Sequence, residues 1–378
     1  LRWLRDTRHL LTTIAQDRGD RRASLAMHRR SLRLARAMAD TQGAVAFSLG
    51  IARAHRSLGR LDSCRVWIDR AENLVTASGD ERLEARILAN RLSLLLLRGE
   101  FARADSLRQA STVALPPAGE RQVLFELIEQ ALETGRADLA YRGLAEARRN
   151  PAFLVRDHNY DPALDLALLA ARFHARQGEF RRAARELETA AERVAAGGDV
   201  AARCRLLETR GRVAELAADH ETATASYEDW LALARRLEDP DQIHRSRIRL
   251  GESLLAGGRF AEASQLAGRY DGAPGYWTLF AADLFAGCAA AGLGDHEAAL
   301  AHHARAAGML RPDAPLGLRA RLHLERARSL LALRRPGEAW RALDRITLAP
   351  DGPEAGDRAE VDRAFHRPLR REIAEVRL

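Results

Sequence analysis

The residues that could do chemistry are few and badly spaced for it. His302 and His303 are the only adjacent histidines. Neighbouring helical residues point about 100° apart, so the pair cannot converge on one metal ion. Cys64, Cys204 and Cys288 stand 140 and 84 residues apart. No two have ligand or redox spacing, and an odd number argues against a disulfide framework. A phosphate loop of the usual form needs a lysine, and the chain has none; GxGxxG, GxSxG and HExxH are also missing. Cys288 would need a base beside it to act as a nucleophile, and the pattern supplies none. The expectation is therefore a segment with no catalytic residue, no metal and no cofactor.

What the chain does have is arginine. All 60 basic residues are arginine, against 52 acids, for a formal net charge of +8. They are dispersed among the acids rather than clustered, which fits a GC-rich coding sequence better than a nucleic-acid footprint. Hydrophobic residues make up 47% and charged residues 30%, as in a folded domain. Aromatics are only 5%, so the core must be leucine and alanine, which favours helices over strands. No apolar run is long enough to cross a membrane. The chain opens on Leu1 with helix-like sequence from Trp3 to Ile14, so a segment of a longer, cytoplasmic protein is expected.

The elements that must position these arginines are read from a recurrent turn. Its positions are Gly19, Gly59, Gly99, Gly135, Gly178, Ala218, Gly258, Gly294 and Arg334, at spacings of 36 to 43 residues. Five residues after each stand Ser24, Cys64, Ala104, Ala140, Ala183, Ala223, Ala263, Ala299 and Ala339, all small. Two antiparallel helices can approach closely beside a tight turn only where the facing residue is small. Four residues before each turn, inward contacts are expected at positions such as His55, Leu95, Ala131, His174 and Leu254. Nine after, a mostly bulky slot holds His28, Ile68, Leu144, Leu187, Tyr227, His303 and Leu343, with Arg108 and Ala267 its weak members. Between repeats, Asp80, Pro116-Pro117, Gly197-Gly198-Asp199 and Asp239-Pro240 punctuate helices. The stretch from Asn150 to Pro162 is a candidate hinge or insertion, and Asp271 to Gly275 a shorter break.

This pattern resembles the tetratricopeptide repeat (TPR), most closely at Leu250-Gly251 with Gly258 and Ala263, at Gly211 with Ala223 and Tyr227, and at Gly287 with Gly294, Ala299 and His303. The units exceed the family's ~34 residues, as in long-unit bacterial arrays. HEAT repeats share the length but carry a proline in the first helix that does not recur here. The resemblance implies an all-α, right-handed superhelical solenoid of about nine antiparallel helix-turn-helix repeats over residues 1–348. A linker at 349–356 and a capping or lead-in helix at 357–378 would follow.

In such arrays the first helices line a concave groove, and function lives on that lining. Positions just before each turn, and one helical turn earlier, give a ladder of Arg53, Arg56, Arg86, Arg172, Arg176, Arg205, Arg212, Glu215, Arg245, Glu252 and Arg328. The expected function is a protein-interaction scaffold whose guanidinium groups grip a partner segment carrying acidic side chains; a merely solvated charged face is the competing explanation. Clamping of a chaperone's terminal carboxylate, done by lysines and asparagines in some relatives, is not expected here. Two further expectations are kept. One is a sensor arm of a larger protein bearing a caspase-like (CHAT) peptidase or an ATPase with a DNA-binding domain; Phe365-His366-Arg367-Pro368-Leu369 resembles a lead-in to the former. The other is nucleic-acid binding, which would need a basic stripe without interleaved acids.

Overall fold

The computed structural model describes residues 21–57, 60–75, 80–156, 161–197, 200–267, 276–310 and 316–347. Among them every regular element is helical. The elements are α1 (Arg21–Ala37), α2 (Thr41–Ser57), α3 (Leu61–Val75), α4 (Glu81–Leu97), α5 (Phe101–Ala110), α6 (Pro117–Glu133), α7 (Ala137–Arg149), a 3-10 turn (Pro151–Leu154), α8 (Pro162–Arg176), α9 (Phe180–Gly197), α10 (Val200–Leu216), α11 (His220–Arg236), α12 (Pro240–Ala256), α13 (Phe260–Leu266), α14 (Tyr276–Gly292), α15 (His296–Met309), α16 (Leu316–Ala332) and α17 (Pro336–Thr347). The even-numbered elements from α2 to α16 are the first helices of successive pairs, and the odd-numbered ones their second helices. The chain is thus an all-α repeat fold. It divides into two compact units, residues 1–246 and 247–378, with the boundary inside α12. The expected turns at Gly19 and Gly59, the break from Asp271 to Gly275 and the segments 349–356 and 357–378 lie outside the described residues.

The turn register holds at every described turn position from Gly99 onward. Gly99, Gly135, Gly178, Gly258 and Gly294 all have positive φ, between 72° and 85°. Ala218 and Arg334, which replace glycine, are forced to the same side at 58° and 57°. Glycine is the residue that reaches this region without a steric cost, so those two turns are the strained ones. All nine small residues five positions on are buried, from Ser24 (1% exposed) to Ala339 (0%).

The bulky slot nine positions on is filled as expected by His28, Ile68, Leu144, Tyr227, His303 and Leu343, all buried, and by Leu187, half-buried. Arg108, by contrast, points to solvent. The rings need a hollow to enter. A Cβ on Gly211 would overlap the Tyr227 ring, and one on Gly287 would overlap the His303 ring. Gly251 shows the compensation for the weak slot at Ala267. Its hollow is occupied instead by Phe285, from the following pair.

Helix ends follow the sequence signals. Asp80 Oδ1 accepts from Arg82 N at 3.0 Å and Leu83 N at 3.3 Å, capping α4. Asp161 and Asp295 cap α8 and α15 in the same way. In the described part of the candidate hinge or insertion after Asn150, Phe153 on the 3-10 turn is 3% exposed and packs in the core shared by α6, α7 and α8. An apolar ring in that stretch anchors the chain where composition alone suggested slack.

Candidate functional site

The arginine ladder is built by the first helices, and the structure brings most of it together through carboxylates. In the first unit the organising element is α6. Glu126, Glu129 and Glu133 stand at i, i+3 and i+7, a spacing that puts them on one helix face. Arg172 on α8 reaches Glu129 (Nη1 to Oε1, 3.2 Å) and Glu133. Arg176 approaches Glu133 at 3.9 Å. Arg212 reaches past α8, from α10, to donate to Glu133 Oε1 at 2.6 Å. One carboxylate thus ties three successive first helices, so these helices converge on this face.

The same reach across an intervening first helix occurs twice more. Arg56 on α2 meets Glu126 on α6 at 3.4 Å, while Ser93 on the intervening α4 donates to the other oxygen at 2.5 Å. In the second unit Arg321 on α16 meets Glu252 on α12 at 2.7 Å, with Arg249 on the same carboxylate at 3.1 Å. The remaining members pair more locally: Arg205 with Asp165 (3.3 Å), Arg245 with Glu208 (2.8 Å) and Arg328 with Glu325 (2.8 Å). Glu215 is half-buried on α10, and Arg86 is exposed on α4.

Electrostatics separates the two carboxylates of α6. Burial acts to raise the Glu133 carboxyl, but Arg212, Arg172 and then Arg176 outweigh it and hold it at about 2. Glu126 moves the other way. Burial raises it, and Arg56 with the Ser93 hydroxyl offsets only part of that. Beside it the half-buried Arg53 has its pKa lowered by burial and by the neighbouring charges of Arg56 and Arg86. The ladder therefore has a saturated middle, around Glu133, and a crowded basic end, around Arg53, Arg56 and Arg86.

The other chemistry-bearing residues sit in structural places. His302 and His303 diverge: His302 Nδ1 lies 3.1 Å from Asp283, whereas His303 is 0% exposed against Gly287. The Cys288 thiol is pushed up to about 12 by burial and by Glu325, opposite to the direction that makes a nucleophile. Cys64, in a small-residue slot, is pushed up to about 11 by burial. Among the described residues no group of three or more His, Cys, Asp or Glu is arranged to hold a metal. None of the described helices is long and apolar enough to cross a membrane.

Sequence reasoning missed Glu126, Glu129 and Glu133. The signal was present: Glu129 and Glu133 fall six and two residues before Gly135, at the same offsets that pick out Arg172 and Arg176 before Gly178. The ladder takes acids at such offsets before other turns, Glu215 and Glu252 included, and not before Gly135.

No family model matches the chain, and no curated protein matches it by sequence. Among solved structures it is similar to a signal-transduction ATPase with numerous domains (STAND) protein with a tetratricopeptide repeat sensor, from Pyrococcus horikoshii. That likeness has 12% identity and a TM-score of 0.47, and covers 94% of this chain. The chain spans 55% of the length of that protein.

Proposed function

We propose that the array is a protein-interaction scaffold that takes partner segments on the face lined by its first helices. The observation that carries this is the ladder's uneven charge. Around Glu133, arginines and carboxylates already satisfy one another, so a partner gains little by competing there. At the other end Arg56 and Arg86 both act unfavourably on Arg53, although Arg56 also meets Glu126, and a partner carboxylate offsets that repulsion while gaining charge-assisted hydrogen bonds. The partner segment in this reading carries acidic side chains and binds at the α2–α4 end of the ladder.

The test is a fluorescence titration of the full chain with a glutamate-rich peptide, against an Arg56→Ala/Arg86→Ala variant. Loss of two charge-assisted contacts should weaken binding by roughly tenfold or more. Equal affinity in a variant whose far-ultraviolet dichroism is unchanged would remove this reading of the ladder.

A further inference from the structure

The three carboxylates that are reached across an intervening first helix are not equally held. Glu133 on α6 meets Arg172, Arg176 and Arg212, the last at 2.6 Å. Glu252 on α12 meets Arg321 at 2.7 Å and Arg249 at 3.1 Å. Among the described residues Glu126 on α6 meets a single arginine, Arg56 on α2, and only at 3.4 Å. Charge-assisted bonds of this kind run at about 2.7–2.9 Å, so the Arg56 contact is a stretched one.

The firmer hold on Glu126 is at its other oxygen. There Ser93 Oγ on α4 donates at 2.5 Å, and Ser93 is 0% exposed, so water does not compete for that bond. The Arg56 side chain is 26% exposed and that of Glu126 16%, so an incoming group reaches the arginine more readily than the acid. Electrostatics ranks the three acids the same way. Burial acts to raise each of them; the arginines reverse that at Glu133 and Glu252, whereas at Glu126 Arg56 and Ser93 do not. The Arg56–Glu126 pair is thus the weakest of the three ties, and it lies at the end of the ladder where the partner is placed.

We propose that Glu126 is an internal competitor for the acidic partner: it occupies Arg56 in the free chain, and a partner carboxylate displaces it while Ser93 keeps hold of its other oxygen. This rests on the reading of the ladder given above and adds its regulation. The chain's own carboxylate sets the partner's affinity below what the arginines alone would give. Displacement also undoes a tie between α2 and α6, so occupation of the ladder is transmitted across α4.

The experiment is fluorescence anisotropy of the full chain with a fluorescein-labelled glutamate-rich peptide. It is repeated for Glu126→Gln, Glu129→Gln, Arg56→Ala, Arg56→Ala/Glu126→Gln and Arg56→Ala/Arg86→Ala. Glu129→Gln removes the same charge one turn along α6, from an acid that meets Arg172 instead. Glu126→Gln should tighten binding by about three- to fivefold, and Glu129→Gln should leave it unchanged. In the Arg56→Ala background Glu126→Gln should add nothing, because the competition needs that arginine. Binding by Glu126→Gln with none by the parent chain would be the extreme form of the expected result. If Arg56→Ala/Arg86→Ala weakens binding but Glu126→Gln does not tighten it, the ladder stands and the competitor is overturned. Equal tightening by Glu129→Gln, or tightening that survives without Arg56, would overturn it too, since loss of any negative charge would then suffice. No binding by any variant, or parent-like binding by Arg56→Ala/Arg86→Ala, would remove both readings. Glu126→Asp keeps the charge but shortens its reach, and should tighten binding in the same direction if Glu126→Gln folds poorly.

Discussion

Glu133 and Arg326 mark two opposite ways of burying charge in one repeat fold. Around Glu133, three arginines converge on a single carboxylate, and the carboxyl is driven down to about 2. Around Arg326 the convergence is of cations, and His323 is driven down to about 4 with its ring nitrogen unanswered. The first arrangement is complete in itself and stiffens the array. The second is stable only because packing holds it, and it gains by meeting an anion. In the reading proposed above, a basic repeat protein need not bind where its arginines are most fully answered by its own carboxylates.

The largest expected effect comes from disturbing the packing beside a turn of the second unit. Ala299 on α15 is 0% exposed beside its turn. Ala299→Leu should overpack that helix pair and cost about 1–3 kcal/mol, read as a lowered midpoint in urea. An unchanged midpoint would break the register on which both regions depend. Next in size is Glu133→Ala, which takes one of two carboxylates from Arg172, a side chain only 8% exposed, and leaves it Glu129 at 3.2 Å. Because Glu133 itself is 42% exposed, solvent screening reduces the penalty, and a loss of about 1–2 kcal/mol is expected from the same titration.

Acid should separate the two regions. His303 sits at about 4 through burial, then His302 and Arg326, and His323 at about 4 as well. An unfolded histidine titrates near about 6.5, so the unfolded state takes up these protons first, and stability falls as pH drops from about 6.5 to about 4. Glu133 has its folded value depressed to about 2, so its contribution is full above about pH 4.5 and lost as pH falls toward 2. Hydrogen exchange followed by mass spectrometry should show α15 and α16 losing protection at higher pH than α6 and α8. The reverse order would overturn the comparison. The smallest effect is the most diagnostic in sign: Arg345→Ala should slightly raise the melting temperature by relieving repulsion, whereas most truncations lower it.

The fold was legible in the sequence because its main constraint is local. A turn residue and a small residue five positions later are enough to set two helices side by side, and the observed φ values and burial follow that spacing even at Ala218 and Arg334. The site was legible only in part. Arg172 and Arg212 stood out by charge, yet their shared partner lies 39 residues from one and 79 from the other. That meeting depends on how first helices converge, which no short window contains. The Phe285 ring in the Gly251 hollow was hidden for the same reason, since the ring comes from the following pair. The cations around Arg326 carried no motif at all.

The contacts that skip a first helix bear on how such a chain can change length. When each pair touches only its neighbours, a repeat can be copied or deleted with little more than one interface lost. The Arg212–Glu133 and Arg321–Glu252 bridges work only if a single first helix lies between their ends. A duplicated repeat inserted at either place would part the two charges and leave both half-desolvated. Those stretches have their copy number locked by electrostatics, so gain or loss of whole repeats by recombination should be tolerated outside the bridged spans and purged within them.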